Sequence, residues 1–284
     1  MFTIFRYSLG RMRGQVLGWG LSLAILGGYL LTFYDVLFEQ GAEIMRLVSS
    51  YPPELMTFFG DMTNLMSPAG YLTVEFFSYM PLIVGIFAVL SGSGLLAGDE
   101  EAGTLDLLLS YPITRLQLFA GRWLAFVSAM AGIVALSWLG LAGALRWSAI
   151  DVSPAELALP CLSLWAQLLV FGCLGLLLSM VLPSRRLAAM TAGLVLVASF
   201  FLTSLARIDA SLEEAARFSP LNYYQAGEAL DGMNWVWFLG LIAVALGLSL
   251  LAAWRFQRRD IRVGGEGSWG LGLRPRKASA PRLD

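Results

Sequence analysis

The chain has 284 residues, of which 57% are hydrophobic and 14% are charged, and its formal net charge is −1. Soluble domains carry about 25% charged residues, so this composition predicts an integral membrane protein, and the near-neutral charge gives no indication of nucleic acid binding. The sequence contains no histidine, which excludes histidine-based metal sites, histidine-activated nucleophiles and histidine proton relays. The two cysteines, Cys161 and Cys173, lie in one apolar run and are interpreted as buried hydrophobic residues.

The first predicted element is a short helix at the N-terminus. Phe2, Phe5, Leu9 and Met12 fall on one face of a helix, with arginines beside and opposite them. This pattern favours an interfacial elbow helix over residues 1–13, against the alternative of a basic segment that only sets orientation. The apolar run that follows is too long for a signal peptide and lacks a small-residue cleavage site, so we expect a retained helix.

Six apolar runs are each long enough to cross a membrane, whose core of roughly 30 Å needs about 20 helical residues. These runs contain no Asp, Glu, Lys or Arg. Helices are expected because an isolated spanning segment must satisfy its own backbone hydrogen bonds. The predicted fold class is therefore an all-α integral membrane protein, with a six-helix transmembrane domain over residues 14–262. The predicted spans are residues 14–34, 76–97, 123–145, 157–182, 187–206 and 235–254.

The distribution of positive charge predicts the orientation of the chain. With six spans both termini lie on one side of the membrane, and of the 19 Lys and Arg residues all but Arg46, Arg146, Arg207 and Arg217 fall on that side. The positive-inside rule makes this side, with both termini, cytoplasmic.

Two longer segments, residues 35–75 and 207–234, lie on the other side in this topology. Both mix apolar and acidic residues at roughly helical spacing, so we expect two helical extracytoplasmic loops. The tail over residues 263–284 is rich in Gly, Pro and Arg, and it is predicted to be disordered and cytoplasmic.

The connection between the second and third spans predicts a short helix between two stops. Gly103 and Pro112 bracket about two helical turns, and Thr104 can cap their start. Thr114 and Gln117 are then placed to form a capping box for the next helix. A short rigid helix across the membrane face can act as a lever on two membrane helices at once. An ordinary loop with solvated acidic residues remains the alternative.

The same connection resembles the motif of a known family. The run Gly98-Asp99-Glu100-Glu101-x-Gly103-Thr104-Leu105-x-x-Leu108-Leu109-x-x-Pro112-Ile113-x-Arg115 is similar to the signature of the type-2 ABC exporter permeases. Two weaker resemblances accompany it, in Ser219-Pro220-Leu221-Asn222-Tyr223-Tyr224 and in Phe256-x-Arg258-Arg259-Asp260-Ile261. The resemblance covers residues 1 to about 262, and the tail that follows has no counterpart in the family.

The resemblance implies the transmembrane (permease) subunit of an ATP-binding-cassette exporter in the plasma membrane of a prokaryote. Two such subunits, expected as a homodimer, would form the pathway in the lipid bilayer, and two copies of a separate ABC ATPase subunit would bind ATP and Mg²⁺. The single lysine of this chain, Lys277, stands in no Gly-x-x-x-x-Gly-Lys motif, so the chain has no phosphate-binding loop and is not itself an ATPase. No catalytic, cofactor-binding or metal-binding residue is expected in it.

By motif position, the resemblance also implies two contacts and a gate. The expected ATPase-coupling contact consists of Gly98, Glu100, Glu101, Gly103, Thr104, Leu105, Pro112 and Arg115. A second contact is expected at Arg185 and Arg186, between the fourth and fifth spans, with a plain positive-inside anchor as the alternative. An extracytoplasmic gate is expected at Ser219, Pro220, Tyr223 and Tyr224.

Other classes of function fit the composition less well. An ion-coupled secondary transporter normally places ionisable residues within the membrane, and the predicted spans contain none. A membrane-embedded enzyme would lack its usual histidine and carboxylate groups. A non-transporting membrane scaffold is left open. The uncharged spans favour a lipid-like, amphipathic or drug-like cargo without identifying it.

Overall fold

A computed structural model describes residues 1–39, 46, 50, 51 and 67–258, with only the backbone described for residues 36–39 and 106. Over these ranges the chain is helical and contains no β-strand. Six helices have the length and apolar composition to cross a membrane, which confirms the predicted number of spans: Phe2–Asp35, Pro68–Gly94, Arg115–Trp147, Pro154–Val181, Arg185–Ala206 and Trp235–Arg258. Most of the predicted loop over residues 35–75, and the whole tail over 263–284, lie outside the described residues.

The elements follow one another as a series of long helices joined by short helical turns. The α-helices are α1 (Phe2–Glu39), α2 (Pro68–Leu72), α3 (Met80–Gly94), α4 (Ala97–Glu101), α5 (Leu105–Leu109), α6 (Arg115–Ala144), α7 (Pro154–Val181), α8 (Arg185–Ala206), α9 (Glu213–Ala216) and α10 (Trp235–Arg258). A π-helical turn, Thr73–Phe77, connects α2 with α3 in the second span, and 3-10 turns cover Leu145–Trp147, Ala210–Leu212, Pro220–Tyr223 and Gly227–Leu230.

Successive passes bring the start of α1, the α4–α5 segment and the end of α10 to the same side of the bundle, which is called the N-terminal side below. Direct contacts confirm the grouping, because Arg11 of α1 pairs with Asp99 of α4, and Arg115 of α6 bonds to the carbonyl of Phe256 at the end of α10. The loop over residues 207–234 lies on the opposite side.

Short polar residues set where the long helices begin. The Ser67 hydroxyl accepts a hydrogen bond from the Gly70 backbone N–H at 3.0 Å, and Pro68 occupies the first turn, so the second span starts well before its apolar run. At the start of α7, Ser153 and Glu156 form a reciprocal capping box. These caps explain why the helices are longer than the predicted spans.

The first helix differs from the prediction of a separate elbow over residues 1–13. Helix α1 runs without interruption from Phe2 to Glu39, and residues 2–13 are its first turns. The sequence offers no proline to break the helix in this range, and Gly10 and Gly14 are accommodated within it. The amphipathic pattern of the first turns is therefore carried by the extension of a membrane helix.

The longer helices also carry charges that the predicted spans lacked. Glu75 lies in the π-helical turn with an exposed side chain, and Arg122 lies near the start of α6 with a buried one. Charged residues are therefore absent from the apolar runs but present in the complete helices.

Helix α7 is the centre of the bundle. It packs against α3, α6, α8 and α10, while α1 packs along α6. Glycine allows the closest approach: a Cβ added at Gly92 of α3 would overlap the carbonyl oxygen of Gly172 of α7, so the two backbones are in direct contact. A Cβ at Gly140 of α6 would likewise overlap Ala24 of α1.

A separate hydrophobic cluster fills the N-terminal side, and is called the N-side cluster below. It joins the α4–α5 segment to the ends of α6, α7 and α10, and consists of Leu96, Leu105, Leu118, Phe119, Leu176, Met180, Ala252, Ala253 and Phe256. The segment predicted to contact an ATPase is therefore packed into the protein on one of its faces.

Candidate functional site

The turn between α4 and α5 is a Schellman motif. The Gly103 N–H donates to the Glu100 carbonyl at 3.1 Å, and the Thr104 N–H donates to the Asp99 carbonyl at 2.9 Å. Gly103 has φ of +66°, a left-handed conformation in which glycine meets no Cβ penalty. The Thr104 hydroxyl, predicted to cap α5, donates to the Asp99 carbonyl at 3.2 Å and so ties the start of α5 to α4.

Helix α5 has one buried face and one exposed face. Leu105 is buried in the N-side cluster and anchors the helix. Leu107 of α5 is 66% exposed, and Tyr111, two residues beyond the end of α5, is 67% exposed. The segment therefore presents a large apolar surface on the N-terminal side, and Leu105 packs its other face against the bundle.

The next helix begins with the predicted capping box. The Thr114 hydroxyl accepts from the Gln117 N–H at 3.1 Å, and the Thr114 N–H donates to Gln117 Oε1 at 3.1 Å, which confirms that prediction. The capping box fixes the start of α6 at Arg115, directly after the α4–α5 segment.

A buried ion pair connects α4 to two membrane helices. Asp99 and Arg122 are 8% and 6% exposed and form a direct carboxylate–guanidinium contact. Arg122 also donates from Nη1 to the Leu95 carbonyl at 2.7 Å. From the solvent side, Arg11 Nη1 of α1 approaches Asp99 Oδ1 at 3.5 Å. Asp99 thereby links α4 to α1 and α6 through charge.

The two predicted contact regions meet in the structure. The Arg185 backbone N–H, at the start of α8, donates to Glu101 Oε1 at 2.9 Å. A carboxylate at a helix N-terminus is favourable because the unpaired N–H groups and the helix dipole both attract negative charge. The Arg185 side chain lies against Gly94, where an added Cβ would be only 2.9 Å from its guanidinium, so this glycine leaves room for it.

The other predicted contact residues differ in their exposure. Glu100 is buried, whereas Gly103, Thr104, Pro112 and Arg186 are exposed.

Arg115 is the predicted contact residue that bonds to the last helix. It donates from Nη1 to the carbonyls of Phe256 and Gln257, both at 3.4 Å, and so caps the end of α10.

Sequence reasoning missed four residues of this region: Asp99, Arg122, Leu107 and Tyr111. Asp99 stands inside the motif, but its partner Arg122 is 23 residues away, and no local pattern pairs them. Leu107 and Tyr111 lie in the stretch between Gly103 and Pro112, but no local pattern indicated that these two side chains would be exposed.

The predicted gate residues lie in the 207–234 loop, on the opposite side. Ser219 is buried, and its hydroxyl lies 3.0 Å from the Thr203 hydroxyl of α8. The Tyr223 hydroxyl donates to the Arg217 carbonyl at 2.9 Å, and its ring meets Trp237 edge to face. The loop is thus bonded to itself and to both flanking helices.

Tyr224 fixes this loop to the second span. Its hydroxyl donates to the Phe77 carbonyl at 3.0 Å, at the end of the π-helical turn. Burial raises the pKa of Tyr224 well above the ordinary tyrosine value, and the nearby Cys161 adds to the shift. Nearby, a Cβ added at Gly227 would overlap the Ala69 carbonyl oxygen, so backbone packs on backbone here too. A small cavity of about 40 Å³ lies beside Tyr224.

Tyr224→Phe should lower the free energy of unfolding by about 1–3 kcal/mol, because the buried Phe77 carbonyl loses its hydroxyl donor while the ring volume is kept. The measurement is thermal unfolding of the purified protein in detergent. Since the raised pKa keeps the hydroxyl protonated, the difference from wild type should not change between about pH 6 and about pH 9. Tyr7→Phe, at an exposed position, is the control, and an equal effect of both changes would contradict the assignment.

Gln167 is fully buried within α7. Its side-chain Oε1 and Nε2 have no hydrogen-bond partner among the described residues.

In the part of the chain that the structure covers, no three Cys, Asp or Glu side chains group closely enough to hold a metal ion.

Comparison with known protein families identifies the family of the chain. A family model described as "ABC-2 family transporter protein" matches residues 11–261, which includes nearly the whole helical bundle and the α4–α5 segment. No match was found among curated proteins. The chain therefore belongs to the ABC-2 family of transporter proteins and is a multi-pass membrane permease of that family.

Proposed function

We propose that this permease is the transmembrane subunit of an ABC exporter and that a separate ATPase subunit binds to its α5 helix. The observation that carries the proposal is the two-faced character of the segment from α5 to Tyr111. Leu107 and Tyr111 are exposed for a partner, while Leu105 is anchored in the N-side cluster. Exposed apolar patches of this kind mark protein-binding surfaces.

The α4–α5 segment is connected to four of the long helices, as a coupling element requires. Asp99 joins it to α1 and α6, Glu101 joins it to α8, and Leu105 joins it to α10 through the N-side cluster. A force applied at α5 is therefore distributed over most of the bundle. In this mechanism ATP-driven approach of two ATPase subunits displaces α5 and, through these contacts, changes the exposure of the pathway.

The complete transporter in this proposal has two copies of the permease, as a homodimer, and two copies of the ATPase, which hold ATP and Mg²⁺. It lies in the plasma membrane of a prokaryote, with the N-terminal side facing the cytoplasm. The excess of arginine on that side supports this orientation. The 207–234 loop then closes the extracytoplasmic end, with Ser219, Pro220, Tyr223 and Tyr224 as gate residues.

The double variant Leu107→Ala/Tyr111→Ala should weaken binding of the partner ATPase at least ~10-fold, because buried aromatic and aliphatic anchors dominate the affinity of protein interfaces. The measurement is the dissociation constant between the purified permease and the ATPase. Both residues are exposed, so the thermal stability of the permease alone should stay within about 0.5 kcal/mol of wild type.

Phe218→Ala is the matched control, since Phe218 is also an exposed aromatic residue but lies on the opposite side of the bundle. It should leave ATPase binding unchanged. Unaltered binding by the α5 double variant would remove the basis of the proposal.

A labelling experiment tests the proposed orientation independently. Cysteine introduced at Ser110, beside α5, should react with a membrane-impermeant thiol reagent only after the cells are opened. Cysteine introduced at Phe218 should react in intact cells, provided that the reagent can reach the outer face of the membrane. The native cysteines are both buried and give a low background. The reverse pattern would show that α5 faces away from the cytoplasm.

A further inference from the structure

A cavity of about 510 Å³ lies between α1 and α3 on the N-terminal side, which is within the size range of small-molecule sites. Helix α1 contributes one stripe to its wall, with Ser8, Arg11 and Gln15 on the same face. Helix α3 contributes Ser91 and Gly94 from the facing stripe. The cavity thus separates two helices of which one packs mainly on α6 and the other mainly on α7.

The wall of the cavity is strongly positive. It contains three arginines, Arg11, Arg122 and Arg185, against one carboxylate, that of Asp99, which leaves a net formal charge of +2. Asp99 is already engaged by Arg122 and Arg11. The Arg185 guanidinium lies against Gly94, where a Cβ would be only 2.9 Å from it. Arginine presents a planar fork of donors that matches the oxygens of a phosphate group.

The other end of the cavity is apolar. Trp19 of α1 and Phe87 of α3, with ring centroids 5.6 Å apart, bring the two helices together on the side deeper in the bundle. Leu90 lines the cavity and is also exposed on the outer face of α3, where Ile86 is exposed one turn away. An arginine-lined opening next to an exposed apolar helix face fits an amphipathic ligand better than a free anion.

We propose that this cavity binds the phosphodiester head group of an anionic membrane lipid, taken from the leaflet on the N-terminal side. Arg11 and Arg185 contact the phosphate, and the acyl chains lie along the exposed face of α3. Basic pockets between membrane helices at the level of the head groups are suited to such lipids. The binding step needs neither the ATPase nor transport, so it can be tested whether or not the proposed export function is correct.

The experiment measures lipid binding to the purified full-length permease in a non-ionic detergent. The probes are phosphatidylglycerol, the zwitterionic phosphatidylcholine and inorganic phosphate. Arg11→Gln/Arg185→Gln should weaken phosphatidylglycerol binding at least ~10-fold, because each lost arginine removes a charge-assisted contact. The matched control is Arg6→Gln/Arg13→Gln, which removes two positive charges from the same side but from residues outside the cavity wall. The control should stay within about twofold of wild type, as expected for screened surface charges.

Thermal unfolding without lipid verifies that the variants are folded. Arg185→Gln alone provides a second variant, since a positive charge at the start of α8 is not needed for the helix itself. Equal losses in both double variants would overturn the proposal in favour of diffuse surface charge. Binding of phosphatidylcholine or inorganic phosphate as tightly as phosphatidylglycerol would overturn the assignment to an anionic lipid, as would the absence of any lipid binding.

Discussion

Asp99→Asn should lower the free energy of unfolding by about 3–5 kcal/mol, because it leaves the buried Arg122 guanidinium without its counter-charge. Arg122 is only 6% exposed, so its guanidinium is poorly hydrated and water offsets little of the lost attraction. The measurement is thermal unfolding in detergent, together with the amount of folded permease recovered from membranes.

Two further variants separate the buried pair from the exposed arginine beside it. Asp99→Asn/Arg122→Met removes both buried charges, and it should recover much of the loss, since neutral replacement of a buried pair is tolerated far better than removal of one partner. Arg11→Met should cost less than about 1 kcal/mol, because Arg11 is largely exposed and its approach to Asp99 is screened by water. If Asp99→Asn and Arg11→Met had similar effects, the buried pair would not be the stabilising element.

Gly92→Ala should have a comparable effect for a different reason. The added methyl group would overlap the carbonyl oxygen of Gly172, and this contact is between two backbones, so no side chain can rotate away. Forcing α3 and α7 apart at the centre of the bundle is expected to cost at least ~3 kcal/mol, at the upper end for overpacking. The measurement is the thermal unfolding midpoint and the yield of folded protein.

Gly193→Ala and Gly247→Ala are the controls for this change. Both positions are in long helices, and an added Cβ would meet no atom within 4 Å. They should leave stability unchanged or raise it by up to about 1 kcal/mol, because alanine is the better helix former. A loss of stability in these variants equal to that of Gly92→Ala would indicate a general intolerance of alanine and not a specific helix crossing.

Features that depend on neighbouring residues were predictable. Six apolar runs identified six spans because the membrane imposes a minimum length on each helix. Thr114 and Gln117 identified a helix start because a capping box is complete within four residues. The stop at Gly103 followed from its freedom to adopt positive φ.

Features that depend on distant partners were not predictable. The Asp99–Arg122 pair, the bond from Glu101 to the start of α8, and the bond from Arg115 to the end of α10 all join residues from different helices. One sequence without its fold does not indicate which helix ends meet.

The N-terminal residues 2–13 and the side chains of α5 show a second limit of prediction from sequence. The amphipathic pattern of residues 2–13 was read correctly as helical, but amphipathicity does not determine whether a helix ends or continues into the next one. In α5, burial of Leu105 and exposure of Leu107 depend on where the N-side cluster lies, since both are leucines in the same five-residue helix.

The π-helical turn Thr73–Phe77 has a consequence for motion in the second span. The Ser78 N–H donates to the Thr73 carbonyl at 2.8 Å, five residues back, so this turn holds one residue more than α-helical bonding would. Reversion to α-helical bonding would rotate α3 relative to α2 by about 100° and shift it by about 1.5 Å along the axis. Such a screw movement would carry Phe77 away from Tyr224 and turn the α3 face of the arginine-lined cavity, so that both ends of the span would change in one step.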